Sequence, residues 1–178
     1  MKRLLFAVVL TAGCGVSGGA QPVNQSDVEC TFQFSAEPVC SYKSGNHLVK
    51  VSLVTKKLAD DELVLTQSKV TSQGKQQVLS MSPDVSMMAG DIGIASFVDI
   101  NFDNVPDIAI STSFGLANQY FDYWTYDPKT KQHVSVGNYP KLNPNPVGKT
   151  LTATIKLDAA IYQQQKYSWD GGKLIRRK

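Results

Sequence analysis

Short segments in which apolar and polar residues alternate follow one another along most of this chain. Residues 47–55 and 62–70 alternate in this way, which predicts strands with one buried face. Residues 92–98 and 108–112 are almost wholly apolar, a pattern typical of strands that are covered on both faces. Val, Ile and Thr, which favour strands, dominate these segments, and turn residues separate them at short intervals. The pattern therefore predicts an all-β fold of antiparallel sheets.

The C-terminal half contains a strand rich in aromatic residues, at 118–126, which a turn at 127–131 joins to the next strand. Because successive side chains of a strand point to opposite faces, Phe121 and Tyr123 share one face and Trp124 lies on the other. All-β domains fill their interiors with such rings, so we expect most of them in the core.

A hairpin around the Asp-Gly-Gly turn at 170–172 is predicted to close the chain. Residues 143–146, with the sequence Asn-Pro-Asn-Pro, are predicted as irregular loop because proline cannot donate a main-chain hydrogen bond.

The first residues are typical of a secretory signal. A basic start precedes an apolar run at 4–10 that is much shorter than the roughly 20 residues needed to span a bilayer, so we assign residues 1–13 to a signal peptide. Small residues then stand directly before Cys14, as in a lipoprotein cleavage box, where the cysteine becomes the lipidated N terminus. Ordinary cleavage after residue 20, which would discard Cys14, is the alternative.

We expect an exported protein that faces the periplasm as an outer-membrane lipoprotein and contacts the membrane through this N-terminal lipid anchor. A soluble periplasmic or secreted protein is the alternative. Residues 14–25 are expected to hold the lipidated cysteine and a flexible tether, and residues 26–178 to form a single all-β domain. Cys30 and Cys40 are then left as a pair, which predicts a disulfide in an oxidising compartment rather than two buried thiols.

The charge excludes one class of partner. Lys2 and Arg3 leave with the signal peptide, so the 18 Lys and Arg residues fall to 16 against 15 Asp and Glu residues. A chain this close to neutrality carries no basic field for nucleic acid.

The sequence also favours a protein that is not an enzyme. His47 and His133 are its two histidines, and neither stands in a pattern typical of a zinc site or a catalytic triad, so we expect both at the surface. No phosphate-loop motif is present in the sequence.

Oxygen-bearing side chains recur through residues 99–107, with the sequence DINFDNVPD. Alternate residues of an extended chain point the same way, so the side chains of Asp99, Asn101 and Asp103 are expected to converge. The Val105 carbonyl and the Asp107 carboxylate would close the other side. Such hard oxygen ligands suit calcium, and we expect a structural calcium ion in an EF-hand-like loop between two strands.

The sixth position of this loop is expected to require positive φ, and Asn104 is one of the few non-glycine residues that adopts it readily. A metal-free turn is the alternative, since Asp and Asn also favour turns through their own hydrogen bonds. We favour the metal, because three converging carboxylates without a cation would repel one another.

This loop, followed by an apolar strand, resembles the calcium loop of FG-GAP repeats in integrin-type β-propellers. The segments 123–130, 142–144 and 167–174 extend the likeness. Together they are similar to a family of small exported bacterial proteins, often lipoproteins, that act as immunity proteins. Members of that family inhibit peptidoglycan-hydrolase effectors injected through killing type IV secretion systems. The resemblance covers roughly residues 90–176.

The resemblance implies a β-propeller-like fold and the same five metal-ligand positions, Asp99, Asn101, Asp103, Val105 and Asp107. Propeller blades take about 40 to 45 residues each, so a chain of 178 residues is too short for a whole propeller and a partial one is expected.

The partner that the resemblance implies is a peptidoglycan hydrolase or lysozyme-like protein, whose cleft is acidic at its catalytic carboxylates. Charge complementarity then indicates lysines on two polar turns as partner-binding candidates: Lys129, Lys131, Lys141 and Lys149. The alternative function is a calcium-dependent envelope surface module that binds a glycan or an envelope protein through exposed aromatic side chains.

Overall fold

The computed structural model describes residues 28–33, 39–44, 47–72 and 74–177. The predicted signal peptide and the whole of the predicted tether, including Cys14, fall in residues 1–27, outside the described residues. Over the described ranges the protein is all-β, with fourteen strands and no helix, which confirms the predicted fold class.

Within those ranges no helix is long and apolar enough to cross a membrane.

The strands, numbered in chain order, are β1 Val28–Gln33, β2 Val39–Ser44, β3 His47–Ala59, β4 Glu62–Ser72, β5 Lys75–Ser80, β6 Ser86–Met88, β7 Ile92–Val98, β8 Asp107–Ser111, β9 Tyr120–Asp127, β10 Gln132–Pro140, β11 Asn143–Asn145, β12 Thr150–Lys156, β13 Tyr162–Asp170 and β14 Lys173–Arg177.

These strands form three sheets in which every pairing is antiparallel. The central sheet has the order β1-β7-β8-β9-β10, and the third sheet has the order β11-β12-β13-β14. The second sheet has the order β2-β3-β4-β5, with β6 paired to the first residues of β4. The described chain thus begins in the central sheet, builds the second sheet, returns to the centre and ends in the third sheet.

The central sheet is covered on both faces, as its continuous apolar segments predict. All five residues of β8 are buried. Ile108 and Ile110 pack in the core shared with the second sheet, whereas Ala109 packs in the core shared with the third sheet. On β9, Trp124 and Tyr123 divide in the same way, which confirms the predicted faces of the aromatic strand. This face-to-face stacking of small antiparallel sheets is consistent with a partial propeller-like arrangement.

The predicted disulfide between Cys30 and Cys40 is present, with the two Cα atoms 5.6 Å apart. It joins β1 of the central sheet to β2 of the second sheet, rather than two strands of one hairpin. Because the cross-link closes a short loop of ten residues, its expected contribution to the free energy of unfolding is about 2–3 kcal/mol.

A buried carboxylate makes a second connection between these two sheets. The Asp122 side chain on β9 accepts hydrogen bonds from the main-chain N–H and the hydroxyl of Ser82, each at 2.6 Å. The Asn138 amide donates a third bond to the same carboxylate. These three donors replace the hydrogen bonds that the carboxylate would make with water, so its burial costs little free energy. The bonds from Ser82 therefore fix the position of the second sheet on the central one.

One local prediction is wrong. Asn143–Asn145 are not irregular loop, because they form strand β11 against β12. Pro144 is tolerated there since β11 lies at the edge of the third sheet, where a missing N–H on the outer side breaks no ladder.

The close packing of β1 on β7 predicts a stability effect at Gly93. Gly93 pairs with Phe32, and a Cβ atom at position 93 would overlap the Phe32 ring. Gly93→Ala should therefore lower the free energy of unfolding, measured by urea denaturation, by about 1–3 kcal/mol.

The matched control is Gly148→Ala in an exposed turn, where the added Cβ meets its nearest atom at 3.4 Å, so the change should stay within about 0.5 kcal/mol. Phe32→Leu in the Gly93→Ala background should recover part of the loss. An unchanged stability of Gly93→Ala would contradict the assigned packing.

Candidate metal loop and neighbouring cleft

Several turns lie at one end of the central and third sheets. Residues 99–106 join β7 to β8 at this end, and the β9–β10 turn at 128–131 lies beside them because Ile108 pairs with Trp124 near the end of β9. The indole of Trp169, the residue before the end of β13, donates a hydrogen bond of 2.6 Å to the Ile100 carbonyl. This bond brings the β13–β14 turn alongside the loop.

The Asp99 carboxylate organises the first half of the loop through main-chain hydrogen bonds. One oxygen accepts the N–H of Phe102 at 2.6 Å and that of Asp103 at 3.2 Å. The other oxygen accepts the N–H of Asn104 at 2.8 Å. The loop thus wraps around this carboxylate, whose charge strengthens each of these bonds.

Asn101 and Asp103 repeat this arrangement on a smaller scale. The Asn101 side-chain oxygen accepts the Asp103 N–H at 3.1 Å, and one Asp103 oxygen accepts the Val105 N–H at 2.8 Å. The Asn101 amide also donates to the second Asp103 oxygen at 3.0 Å. Every predicted side-chain ligand in the first half of the loop therefore takes part in the loop's own hydrogen bonding.

Asp107 is the most deeply placed of the predicted ligands, with 0% of its surface exposed. Its two oxygens accept the N–H groups of Ile100 at 3.0 Å and Tyr126 at 2.9 Å. Burial, together with the smaller effect of the charges of Asp103 and Asp99, raises the pKa of Asp107 to about 8 against the opposing effect of these two donors. Deprotonated Asp107 is therefore costly at neutral pH unless a positive charge is nearby.

Ile100 holds the loop against the protein. Its side chain is fully buried in the core between the central and third sheets. Its N–H bonds to Asp107 and its carbonyl accepts the Trp169 indole. Because side chain, donor and acceptor are all satisfied, the loop is fixed at its base, and its exposed residues are Asp103 and Asn104.

Two residues of the loop adopt the left-handed backbone conformation. Asn104 has φ of 66°, as predicted for the sixth position. Phe102 has φ of 63°, which the sequence did not indicate and which costs a bulky side chain roughly 1–2 kcal/mol. Backbone strain of this kind concentrates at functional sites.

In the described parts of the chain, no three acidic, histidine or cysteine side chains are grouped as a metal site. The loop's oxygens are instead directed at its own amides. The donor set fits calcium in its chemistry, because it consists of hard oxygens with three carboxylates. None of the ion pairs found among the described residues neutralises Asp99, Asp103 or Asp107, so the loop holds a negative charge that a divalent cation would balance.

The four candidate lysines do not lie together. Lys129 and Lys131 are exposed on the β9–β10 turn beside the loop, and Lys149 is exposed on the β11–β12 turn. Lys141 lies between β10 and β11, where it forms a 3.0 Å ion pair with Glu29 and lies 5.9 Å from the centre of the Phe121 ring. Its charge is thus already engaged within the protein.

The prediction of two surface histidines is wrong for His133, which is buried, with 7% of its surface exposed. Its ring packs against Tyr126, with the ring centres 5.2 Å apart. His133 and Tyr126 form one wall of a cleft of about 160 Å³ between the β4–β5 and β9–β10 hairpins. The sequence gives no local signal for this burial, because the opposite wall comes from residues more than fifty positions earlier.

Sequence reasoning also missed Trp169 and Tyr126 as supports of the loop. A signal existed for Trp169, since a partly buried indole N–H requires an acceptor. The Tyr126 contact is made by the main chain, so no side-chain pattern indicates it.

Comparison of the chain with protein-family models, with curated proteins and with solved structures finds no match.

The burial of His133 predicts a loss of stability in mild acid. Burial lowers the pKa of His133 from 6.5 to about 4, so between these values the unfolded chain binds a proton that the folded protein does not. Stability should therefore fall as the pH decreases from about 6.5 toward 4, by up to about 3 kcal/mol in total.

Urea denaturation of the wild type and of His133→Gln across this pH range measures the effect. The variant has no titrating group at this position, so its stability should fall less steeply than that of the wild type. Equal slopes for the two proteins would show that His133 is protonated in the folded state as readily as in the unfolded chain.

Proposed function

We propose that this protein is an exported immunity protein that binds and inhibits a peptidoglycan hydrolase, with a structural calcium ion in the 99–107 loop. The resemblance over residues 90–176 is the first support. The observation that carries the proposal is that this loop lies beside the β9–β10 turn, which bears Lys129 and Lys131. Both lie at the end of the central sheet where Trp169 holds the loop through its bond to the Ile100 carbonyl.

Asp99, Asn101, Asp103 and Asp107, with the Val105 carbonyl, would hold the calcium ion. When bound, the ion supplies positive charge that balances the three carboxylates. The chain's own contribution is the fixed base of the loop, where Ile100 is buried and bonded to Asp107. A surface that is rigid before binding loses less entropy when a partner docks.

The β9–β10 turn is suited to enter an acidic cleft. The Asp127 carboxylate accepts the Lys129 N–H and the Thr130 hydroxyl, both at 2.9 Å, and the Lys131 N–H donates to the Asp127 carbonyl at 2.8 Å. The two bonds to the carboxylate lower the pKa of Asp127. All three bonds fix the turn while both lysine side chains stay exposed. Their ammonium groups complement the catalytic carboxylates of a glycan hydrolase.

Exposure and ion pairing favour three of the four candidate lysines as partner-binding residues. Lys129, Lys131 and Lys149 are exposed and form no ion pair within the described chain. Lys141 would have to break its bond to Glu29 before it could contact a partner, so we give it a supporting role in the protein's own packing.

We further propose that a lipid on Cys14 anchors the mature protein to a membrane facing the periplasm, the compartment in which peptidoglycan is exposed. The Cys30–Cys40 disulfide supports an oxidising compartment.

The alternative is a calcium-dependent envelope module that binds a glycan. An exposed aromatic ring favours it: Tyr162, at the start of β13, is 62% exposed and is free to stack on a sugar. A glycan array tests this alternative directly, because specific sugar binding lost in Tyr162→Ala would favour it over inhibition.

The main experiment is affinity capture with the immobilised domain, residues 26–178. Peptidoglycan hydrolases from the source and from rival bacteria are passed over it with calcium and with chelator, and the residual lytic activity is measured. Calcium-dependent capture with loss of lysis is the expected result. Absence of capture in both conditions would overturn the immunity function.

A charge-matched pair of triple variants locates the contact. Replacement of Lys129, Lys131 and Lys149 by Gln should weaken inhibition by about tenfold or more, since each exposed charge contributes up to about fivefold. The control replaces three exposed lysines of the second sheet, Lys43, Lys50 and Lys69, and should inhibit like the wild type. Equal potency of both triple variants would remove the β9–β10 turn from the interface.

The calcium proposal predicts a coupled change in affinity and stability. Extracellular calcium sites bind with dissociation constants of about 0.1–1 mM, so about 10 mM calcium should stabilise the wild type by roughly 1.4–2.7 kcal/mol. Asp103→Ala removes one exposed carboxylate and should reduce this gain together with the affinity measured by calorimetry.

Asp61→Ala in the exposed β3–β4 turn is the control and should keep the full gain. A wild-type melting temperature that is the same with calcium and with chelator would mean that the loop's own hydrogen bonds hold it without a metal.

A further inference from the structure

The cleft between the β4–β5 and β9–β10 hairpins is a second feature of the same end of the molecule. It encloses about 160 Å³. Pockets for drug-sized ligands take about 300–1,000 Å³, so this cleft suits a much smaller group. The residues that line it are Val70, Ser72, Lys75, Gln76, Gln77, Tyr126, Thr130, Lys131, Gln132 and His133.

The charge of this cleft is of one sign. Lys75 and Lys131 line it from opposite hairpins, and none of the described residues that line it is acidic. Neither lysine forms an ion pair over the ranges that the structure describes. The nearest acidic residue along the hairpin, Asp127, is occupied by Lys129 N–H and the Thr130 hydroxyl. Two lysine residues thus line a small volume, and neither has an acidic partner within the described chain.

The floor of the cleft is rigid. The Gln77 amide donates to the His133 carbonyl at 2.8 Å, and the His133 N–H donates to the Gln77 side-chain oxygen at 2.8 Å. This paired contact locks the two hairpins at a fixed separation. A ligand would therefore enter a site whose shape is already set, at little cost in ordering.

Lys131 keeps its place at a cost in backbone strain. Its φ is 57°, a conformation that glycine or asparagine adopts more readily. Glycine would relieve this strain but would remove the charge of Lys131 from the cleft.

We propose that this cleft binds a small oxoanion, a carboxylate or a phosphate, between the ammonium groups of Lys75 and Lys131. Gln76 and Gln132 also line the cleft, and their side-chain amides are hydrogen-bond donors. The proposal concerns the protein alone and does not depend on its inhibiting a hydrolase.

The test is an NMR titration of the protein with inorganic phosphate and, separately, with acetate, at constant ionic strength. Main-chain amide signals around Gln77 and His133 should shift and saturate with millimolar dissociation constants. Saturation by phosphate alone assigns the site to phosphates, and saturation by acetate alone assigns it to carboxylates. Failure of both anions to saturate these shifts by about 50 mM would overturn the proposal.

Three variants make the assignment specific. Lys75→Gln and Lys131→Gly should each weaken binding of the active anion by about three- to fivefold, as expected for one partly solvated charge. Lys129→Gln is the matched control, since Lys129 lies on the same turn but does not line the cleft, and it should bind like the wild type.

Lys131→Gly also separates binding from folding. Relief of the positive φ should raise the melting temperature while the affinity for the anion falls. A variant that is more stable and binds more weakly cannot owe its loss to unfolding. Equal affinity in Lys131→Gly and wild type, or an equal loss in Lys129→Gln, would overturn the assignment of these lysines.

Discussion

The rest of the structure depends on the burial of β8 on both faces. A strand with no solvent-exposed side must satisfy every polar group internally. The two polar residues at its ends do so: Asp107 accepts the N–H groups of Ile100 and Tyr126, and the Ser111 hydroxyl accepts the N–H of Ile94. These contacts fix where β7 and β9 lie beside β8, and they set the point at which the oxygen-rich loop leaves the sheet.

The 99–107 loop has a rigid base, and none of the ion pairs among the described residues balances its carboxylates. Ile100 fills the core and Trp169 holds its carbonyl, so the loop cannot relax by moving away. Burial, together with the charges of Asp103 and Asp99, raises the pKa of Asp107, and Phe102 has a positive φ. The other polar groups at the base of the loop have hydrogen-bond partners, so the unbalanced charge and the strained backbone stand out. Both are expected at a site that binds a cation or a partner.

The β9–β10 turn connects the two proposals. Lys129 lies beside the 99–107 loop and outside the cleft, whereas Lys131 lines the cleft together with Tyr126 and His133. An acidic side chain of a partner and a free small anion would be recognised by the same ammonium chemistry. The Gln77 contact with His133 makes the turn rigid for either ligand.

The sequence by itself determined the all-β class, the division of Tyr123 and Trp124 between two faces, the Cys30–Cys40 pair and the positive φ of Asn104, because side-chain alternation and residue conformational preference act locally. It did not determine that the disulfide joins two sheets, that Lys141 pairs with Glu29, that His133 is buried, or that Asn143–Asn145 form an edge strand. Each of these depends on which distant segments the sheets bring together. The tertiary structure decided them, since burial, ion pairing and strand pairing all depend on contacts between segments that are distant in the sequence.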